Sequence, residues 1–418
     1  MRSIAKALRA AYSEDEVYIL VAARNSGSFT YDGIELGGER VCVEIEEELA
    51  KIRSRGGRIT KLSIVGYSLG GLVARYAVGL LQAKGGVFDQ VEPVNFTTFA
   101  TPHLGVRTPL RGWHNHVWNV LGARLLSTSG RQLFTNDKFR ETERPLLAVL
   151  ADPDSIFMSG LKRFKRRTLY ANVVNDRSAV YYTTAISKTD PYSDPTKIKA
   201  NYLKGYEDVI IDPRNPVSPL GPKDPASAAS TILWYAGKVP RLLALIIFLP
   251  LGIMAFLVNS LVQTLRSSRR ITLHERGLAG IPTQDYRVPI WIKDIRGAVE
   301  DAYENLNSAQ PQSYLTGPEG ANGVGEDDEG SDGDLNEAET QILALERKKS
   351  HADQPTLALA PYQFAMISAL DELGWRKYPV WIHKSRHSHA AIIVRTEKPA
   401  SSEGYVVLRH WLKEEFIV

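Results

Sequence analysis

Residues 59–83 read ITKLSIVGYSLGGLVARYAVGLLQA. The first nine form a short run rich in β-branched side chains, the pattern of a buried strand, and the last fifteen place apolar residues at helical spacing. Gly66-Tyr67-Ser68-Leu69-Gly70 joins the two. Gly-x-Ser-x-Gly between a strand and a helix encodes a strained turn that lifts a serine hydroxyl above a sheet edge. Gly66 and Gly70 are expected to omit side chains where neighbouring backbones approach, and the N–H of Leu69 to point toward a developing oxyanion. Ser68 is the candidate nucleophile. The alternative is a tight crossover that carries a buried or solvated serine.

Further strand and helix patterns flank this unit. A helical alternation covers Ser3–Tyr12, and Val17–Ala23 (VYILVAA) has the character of a buried parallel strand. A helix follows at about 38–54, with Val41, Ile45, Leu49 and Ile52 as its apolar positions. Pro93–Ala100 and Thr168–Val174 are expected strands, separated by an insertion over about 104–167 that would suit a cap. The alternation predicts a doubly wound, mostly parallel α/β sheet. Thr189–Ala229, rich in Pro, Lys and Asp, reads as irregular, and an amphipathic helix starts near Pro361, followed by a strand pair around 379–384 and 389–395. The chain therefore divides into a first part of the core (1–188), an irregular connector (189–240), an apolar segment (241–270), a helical or irregular segment (271–316), an acidic linker (317–350) and a second part of the core (361–418).

Composition narrows the function classes. With 418 residues, 51 Lys+Arg against 47 Asp+Glu and 44% apolar residues, the chain is neither disordered throughout nor collagen-like. A net charge of +4 over this length is no footprint of a nucleic-acid binder. One cysteine, Cys42, forbids an intrachain disulfide and a Cys-built zinc site and favours a reducing compartment. The sequence opens without a signal-peptide-length apolar run, so an intracellular location is expected. Leu242–Leu265 (LLALIIFLPLGIMAFLVNSLVQTL) carries no formal charge and is flanked by Lys238 and Arg241, then Arg266, Arg269 and Arg270. Membrane contact is expected there, as a span or as a kinked or hairpin element around Pro250 and Gly252, with a buried helix as the alternative. The stretch 317–339 lacks Lys and Arg and is dominated by acid and glycine, a composition that buries little and predicts disorder. The basic run 162–167 (KRFKRR) is read as a solvated face or an attraction for anionic headgroups.

A serine hydroxyl needs a histidine to take its proton, and that histidine needs a carboxylate to fix its tautomer. Asp176 lies in the turn after the strand TLYANVV, where a parallel sheet presents side chains to a site. A turn-capping role is its alternative. Asp137, Asp152 and Asp154 are weaker candidates because they fall in the expected cap. For the base, WIHKSRHSHAAIIVR offers His383, His387 and His389. His389, just before the expected last strand, is chosen, with His387 in reserve. No metal or organic cofactor is expected.

GYSLGGLVARYAVGLL (66–81), FATPHLGV (99–106), LYANVVNDRSAVYYTTAIS (169–187), GIELGGERV (33–41) and HSHAAIIVR (387–395) together resemble the fungal serine esterases of the α/β-hydrolase superfamily, whose yeast relatives are lipases of monoacylglycerols or phospholipids. The resemblance covers Ser3 to about Ser187 and about Pro361 to Arg395. It implies Ser68 as nucleophile, Asp176 as acid and His389 as base, with His103 a wall residue. It further implies a lipid ester substrate at a membrane or lipid-droplet surface. In that family an apolar strand and a His-Gly loop precede the helix entered here at Ser3, and the loop provides a second oxyanion N–H. The fold is thus expected to be N-terminally incomplete, with the missing strand belonging between Val17–Ala23 and Ile59–Tyr67. An impaired membrane-bound scaffold and an acyltransferase are the alternatives to a hydrolase.

Overall fold

The apolar runs at 61–67, 92–99, 166–172 and 376–380 become the strands of one sheet in the computed structural model, which describes residues 1–106, 127–220, 258–278, 286, 314, 337–350 and 355–418. Strands β1 (Lys61–Tyr67), β2 (Glu92–Phe99), β3 (Arg166–Asn172) and β6 (Arg376–Val380) pair in the order β1-β2-β3-β6, and all three pairings are parallel. A parallel sheet is buried on both faces, and adjacent residues on each strand serve opposite layers. Ile64, Phe96 and Leu169 pack with α2 (Ile34–Ser54), α3 (Leu69–Ala83), α5 (Leu146–Leu150) and α6 (Ile156–Lys162). Val65, Phe99, Tyr170 and Tyr378 pack on the other face with α1 (Arg2–Ala11) and α10 (Glu403–His410). Across that face Phe99, Tyr170 and Tyr378 stack from strand to strand, with centroids 5.0 and 5.3 Å apart.

Past α10, the Trp411 indole N–H donates to Thr97 Oγ1 (3.1 Å), and Asn95 exchanges hydrogen bonds with both polar groups of Ile417. The edge at β6 is covered: Ile211 N–H donates to Pro379 O and Trp381 N–H to Val209 O. At the other edge, no described strand pairs beyond β1.

Val17–Ala23 is a correction to the sequence reading, because it joins no sheet. A strand forms where a neighbour supplies a ladder of backbone partners. Here α2 supplies side chains instead: Glu44 accepts the N–H groups of Ala23 and Arg24, and the Tyr18 hydroxyl donates to Glu48. Tyr18, Leu20 and Val21 stay exposed. The last expected strand is corrected too, since Ser388–Ala391 forms a short helix, α9.

Within the span expected to be irregular, Ile198–Ala200 (β4) and Val217–Pro219 (β5) form a small antiparallel pair. The acidic linker was expected to reach 350, yet Glu337–Lys349 forms a helix, α8, with Leu343 buried and Glu346 paired to Lys188. Its acidic part, 317–336, lies outside the described residues, as do 107–126 of the expected cap, 221–257 of the connector and apolar segment, and 279–316 apart from 286 and 314. Of the remaining insertion, α6 packs against α3, and α4 (Thr128–Leu133) meets the loop before α2.

A helix over 258–275, α7, is fastened to the start of α2. Arg270 and Arg40 both pair with the buried carboxylate of Asp32 (2.5 and 2.8 Å), and each guanidinium lies about 5 Å from the Phe29 ring centroid. Ser267 Oγ donates to Tyr31 O, and His274 Nε2 lies 2.5 Å from Glu39 Oε2. Among the described residues no helix is long and apolar enough to cross a membrane. The described basic residues of the 162–167 run are mostly structural ties. Arg163 donates to Phe88 O, Arg166 to the carbonyls of Glu414 and Glu415, and Arg167 to Leu373 O, while Lys165 pairs with Glu92.

Candidate active site

Strand β1 ends at Tyr67 and α3 begins at Leu69, so the chain reverses at Ser68 alone. Ser68 adopts φ 53 and ψ −132, a conformation that costs a non-glycine residue of order 1–3 kcal/mol and persists only where the surroundings hold it. Its N–H donates to Phe99 O and its carbonyl accepts from Gly71. The close approaches fall on Gly66 and Gly71. A Cβ on Gly66 would lie 2.4 Å from Gly71 Cα, and one on Gly71 would lie 2.2 Å from Thr101 Oγ1. Gly70 has nothing within 4 Å of such an atom, so the expected crowding belongs to its neighbour.

Ser68 Oγ lies 2.9 Å from His389 Nε2, and His389 Nδ1 lies 2.9 Å from Asp176 Oδ2. The three residues chosen from sequence are therefore in hydrogen-bond contact in the order hydroxyl, imidazole, carboxylate. Asp176 is buried, and every described contact fixes its carboxylate. Oδ2 also accepts from Asn172 Nδ2 (2.9 Å), while Oδ1 accepts the N–H groups of Ser178 and Ala179. Turn capping and orienting the imidazole are thus simultaneous in this residue. Because Nδ1 faces the carboxylate, its hydrogen points there and Nε2 is left to accept the serine proton.

The imidazole is positioned from three sides. Ser388 Oγ donates to Val174 O (2.8 Å), tying α9 to the segment that follows β3. The Tyr67 hydroxyl donates to His389 O (3.0 Å), and its ring stands 5.1 Å from the imidazole centroid. Burial pushes the Tyr67 phenol up to about 12, so it remains a donor at any physiological pH. Leu69 occupies the first position of α3, where a backbone N–H has no intrahelical acceptor and is free to meet an anion.

The other candidates are engaged elsewhere. His387 is exposed, and His383 stacks on Trp381 (5.2 Å, 7°). Asp137 accepts from Leu146 N at the start of α5, Asp152 pairs with Arg144, and Asp154 is exposed. His103 is fully buried, near Thr98 Oγ1 and the Trp375 ring. Burial holds its imidazole neutral, well below the usual range. Tyr67, Asn172 and Ser388 were not singled out from sequence. Only Tyr67, the first variable position of the Gly-x-Ser-x-Gly motif, sat where a signal could be sought. Among the described residues no cluster of His, Cys, Asp or Glu is placed to hold a metal.

A mostly parallel sheet, a serine on a strained strand-to-helix turn and a histidine–carboxylate pair against its hydroxyl fit an α/β-hydrolase-like protein. Residues 1–189 match the family described as Putative serine esterase (DUF676). The chain is 35% identical over 164 residues to Putative lipase YDL109C of Saccharomyces cerevisiae, covering 39% of this chain and 24% of that one. It is 36% identical over 133 residues to Putative lipase C4A8.10 of Schizosaccharomyces pombe (31% and 16%). Against Putative lipase ROG1 of Saccharomyces cerevisiae it is 32% identical over 209 residues (49% and 28%). The matched stretches span about a quarter or less of the first two relatives' own length, 24% and 16%. No solved structure matches the chain.

Proposed function

We propose that the chain is a serine hydrolase that cleaves carboxylic ester bonds of lipids through an acyl-enzyme. The observation that carries this reading is the contact of Ser68 Oγ with His389 Nε2 at 2.9 Å, backed by Asp176. Ser68 Oγ attacks the acyl carbon as His389 Nε2 takes its proton. The N–H of Leu69 donates to the oxygen that becomes negative. His389 then hands the proton to the leaving alcohol, and the C–O bond breaks to leave a Ser68 ester. Water, deprotonated by the same nitrogen, attacks that ester and releases the fatty acid. Asp176 stays ionised throughout and stabilises the imidazolium.

A lipid ester is favoured as substrate because the relatives are named lipases and because the charge-free run 242–265 lies in the same chain. The same run supports an intracellular membrane or lipid-droplet surface as the place of action, and the two parts of the core, 1–188 and 361–418, as one catalytic unit around it. A second reading, an impaired membrane-bound scaffold, is favoured by one observation: among the described residues β1 is the sheet's edge, and Leu69 is the donor the elbow itself provides. Loss of one oxyanion donor costs about 10² to 10³ in rate, so even then turnover would be slowed and not abolished. A fluorophosphonate probe tests the hydrolase reading, and the rate on a soluble ester distinguishes a slowed scaffold from it. Labelling of the wild-type chain and not of Ser68→Ala supports the hydrolase. Equal labelling of both, or of neither, refutes it.

A further inference from the structure

A helix lying on a protein in water buries its apolar stripe and exposes its polar one. Helix α7 (258–275) does the reverse. At 100° per residue Ser260, Ser267 and His274 fall on one line, seven residues apart, and all three are buried. Val258, Leu261, Val262 and Leu265, at spacings of three and four, form the opposite line and are 56%, 60%, 38% and 63% exposed. Scattered exposed leucines are ordinary, whereas a contiguous outward stripe marks a contact surface.

The orientation is enforced. Arg270 to Asp32, Ser267 to Tyr31 and His274 to Glu39 all lie on the inward side, so the helix cannot roll its leucines under without breaking a buried ion pair. Along the axis the chemistry is graded. The sequence before Val258 is free of formal charge back to Leu242, the stripe follows, and Arg266 and Arg269, both exposed, come directly after Leu265. Hydrocarbon followed by cations is the order from acyl chains to anionic headgroups. The clamp also fixes a direction. Helix α2 leads into the amino end of β1, so its own start, where Asp32 and Tyr31 sit, belongs to the carboxyl end of the sheet, the end that carries Ser68.

We propose that the Val258–Leu265 stripe of α7 inserts among the acyl chains of an anionic phospholipid membrane, with Arg266 and Arg269 at its headgroups, and that the Asp32 clamp thereby turns the Ser68 end of the sheet toward that membrane. The orienting role rests on the lipid-hydrolase reading above. The insertion itself does not.

Cys42 is the sole cysteine and is fully buried, so a single bimane label can be placed on the full chain at Leu261→Cys, Leu265→Cys or, as a control beyond the stripe, Glu275→Cys. With vesicles of phosphatidylcholine and phosphatidylserine, the emission at 261 and 265 shifts to the blue and the emission at 275 does not. No shift at 261 and 265, an equal shift at 275, or a shift that grows with protein concentration in the absence of vesicles, as a second copy covering the stripe would give, overturns the proposal. For the orienting role, Leu261→Glu with Leu265→Glu lowers hydrolysis of a vesicle-embedded ester about tenfold and leaves that of a soluble short-chain ester unchanged. Equal rates on vesicles overturn it. The label experiment and the hydrolysis of a soluble ester, both measured on the Ser68 wild-type chain, separate the two readings. Insertion by a chain that hydrolyses nothing in its wild-type form refutes the hydrolase alone, while turnover of soluble esters without insertion refutes the membrane stripe alone.

Discussion

His389 Nε2 stands 2.9 Å from Ser68 Oγ across 321 positions of sequence, and its other ring nitrogen meets Asp176 at the same distance. One imidazole thus joins the turn after β1 to the turn after β3. Neither turn holds it by itself, because the ring is also fixed through Tyr67 and Ser388.

Groups that act as a unit lose their effect together. Ser68→Ala and His389→Ala are each expected to lower kcat on a soluble short-chain ester by about 10⁶, and the double variant by no more. Asp176→Asn, which leaves the wrong imidazole tautomer, is expected to cost about 10⁴. Losses that multiply in the double variant would show that the serine and the histidine act independently.

Tyr67 contributes through position alone. Tyr67→Phe keeps the ring beside His389 and removes one hydrogen bond worth about 0.5–1.5 kcal/mol, so kcat should fall about two- to tenfold with KM and thermal stability nearly unchanged. A loss of stability as large as the loss of rate would mean that the hydroxyl serves the fold and not the imidazole.

At Gly71 the elbow tolerates no side chain. The new Cβ of Gly71→Ala would meet Thr101 Oγ1 at 2.2 Å and Cγ2 at 2.6 Å, and α3 would have to shift. Overpacking of this kind costs about 1–3 kcal/mol and should appear as a lower urea midpoint with an unchanged m-value, together with slower turnover. Gly70→Ala, with open space at the same atom, should be stable.

Much of this was legible in the sequence, since turn chemistry is local. Gly-x-Ser-x-Gly announces the elbow, an Asp after a strand announces an acid at a carboxyl end, and the strands at 92–99 and 166–172 carry their own apolar runs. What failed was decided by neighbours. Val17–Ala23 has a strand's composition and no partner beside it. HAAIIVR is too short for its periodicity to separate strand from helix, and Ser388 settles the matter by bonding to Val174. Gly71 matters more than Gly70 because of Thr101, thirty positions away. In 258–275 the leucines were visible, yet which face they occupy depends on Asp32.

His410 makes stability depend on pH. Its Nδ1 lies 2.7 Å from the Tyr170 hydroxyl, and burial pushes the imidazole down to about 4. A depressed histidine is neutral in the folded state, so its contribution is complete above about 6.5, the unfolded value, and is lost as pH falls toward 4. The shift corresponds to at most about 3 kcal/mol. His410→Gln, which keeps a neutral acceptor for Tyr170, should flatten thermal stability between pH 6.5 and 4. A slope identical to wild type would assign the acid sensitivity to other groups.

The sheet takes its fourth strand from residues 376–380, long after β3 closes at Asn172. During synthesis the carboxylate of Asp176 emerges 108 positions after the hydroxyl of Ser68, and 213 further positions separate Asp176 from the imidazole. At ordinary elongation rates that interval is about 10–40 s. Throughout it a nascent chain carries Ser68 on its turn with no imidazole in reach, and under the hydrolase reading proposed above the centre is completed only when a late segment docks against an early one.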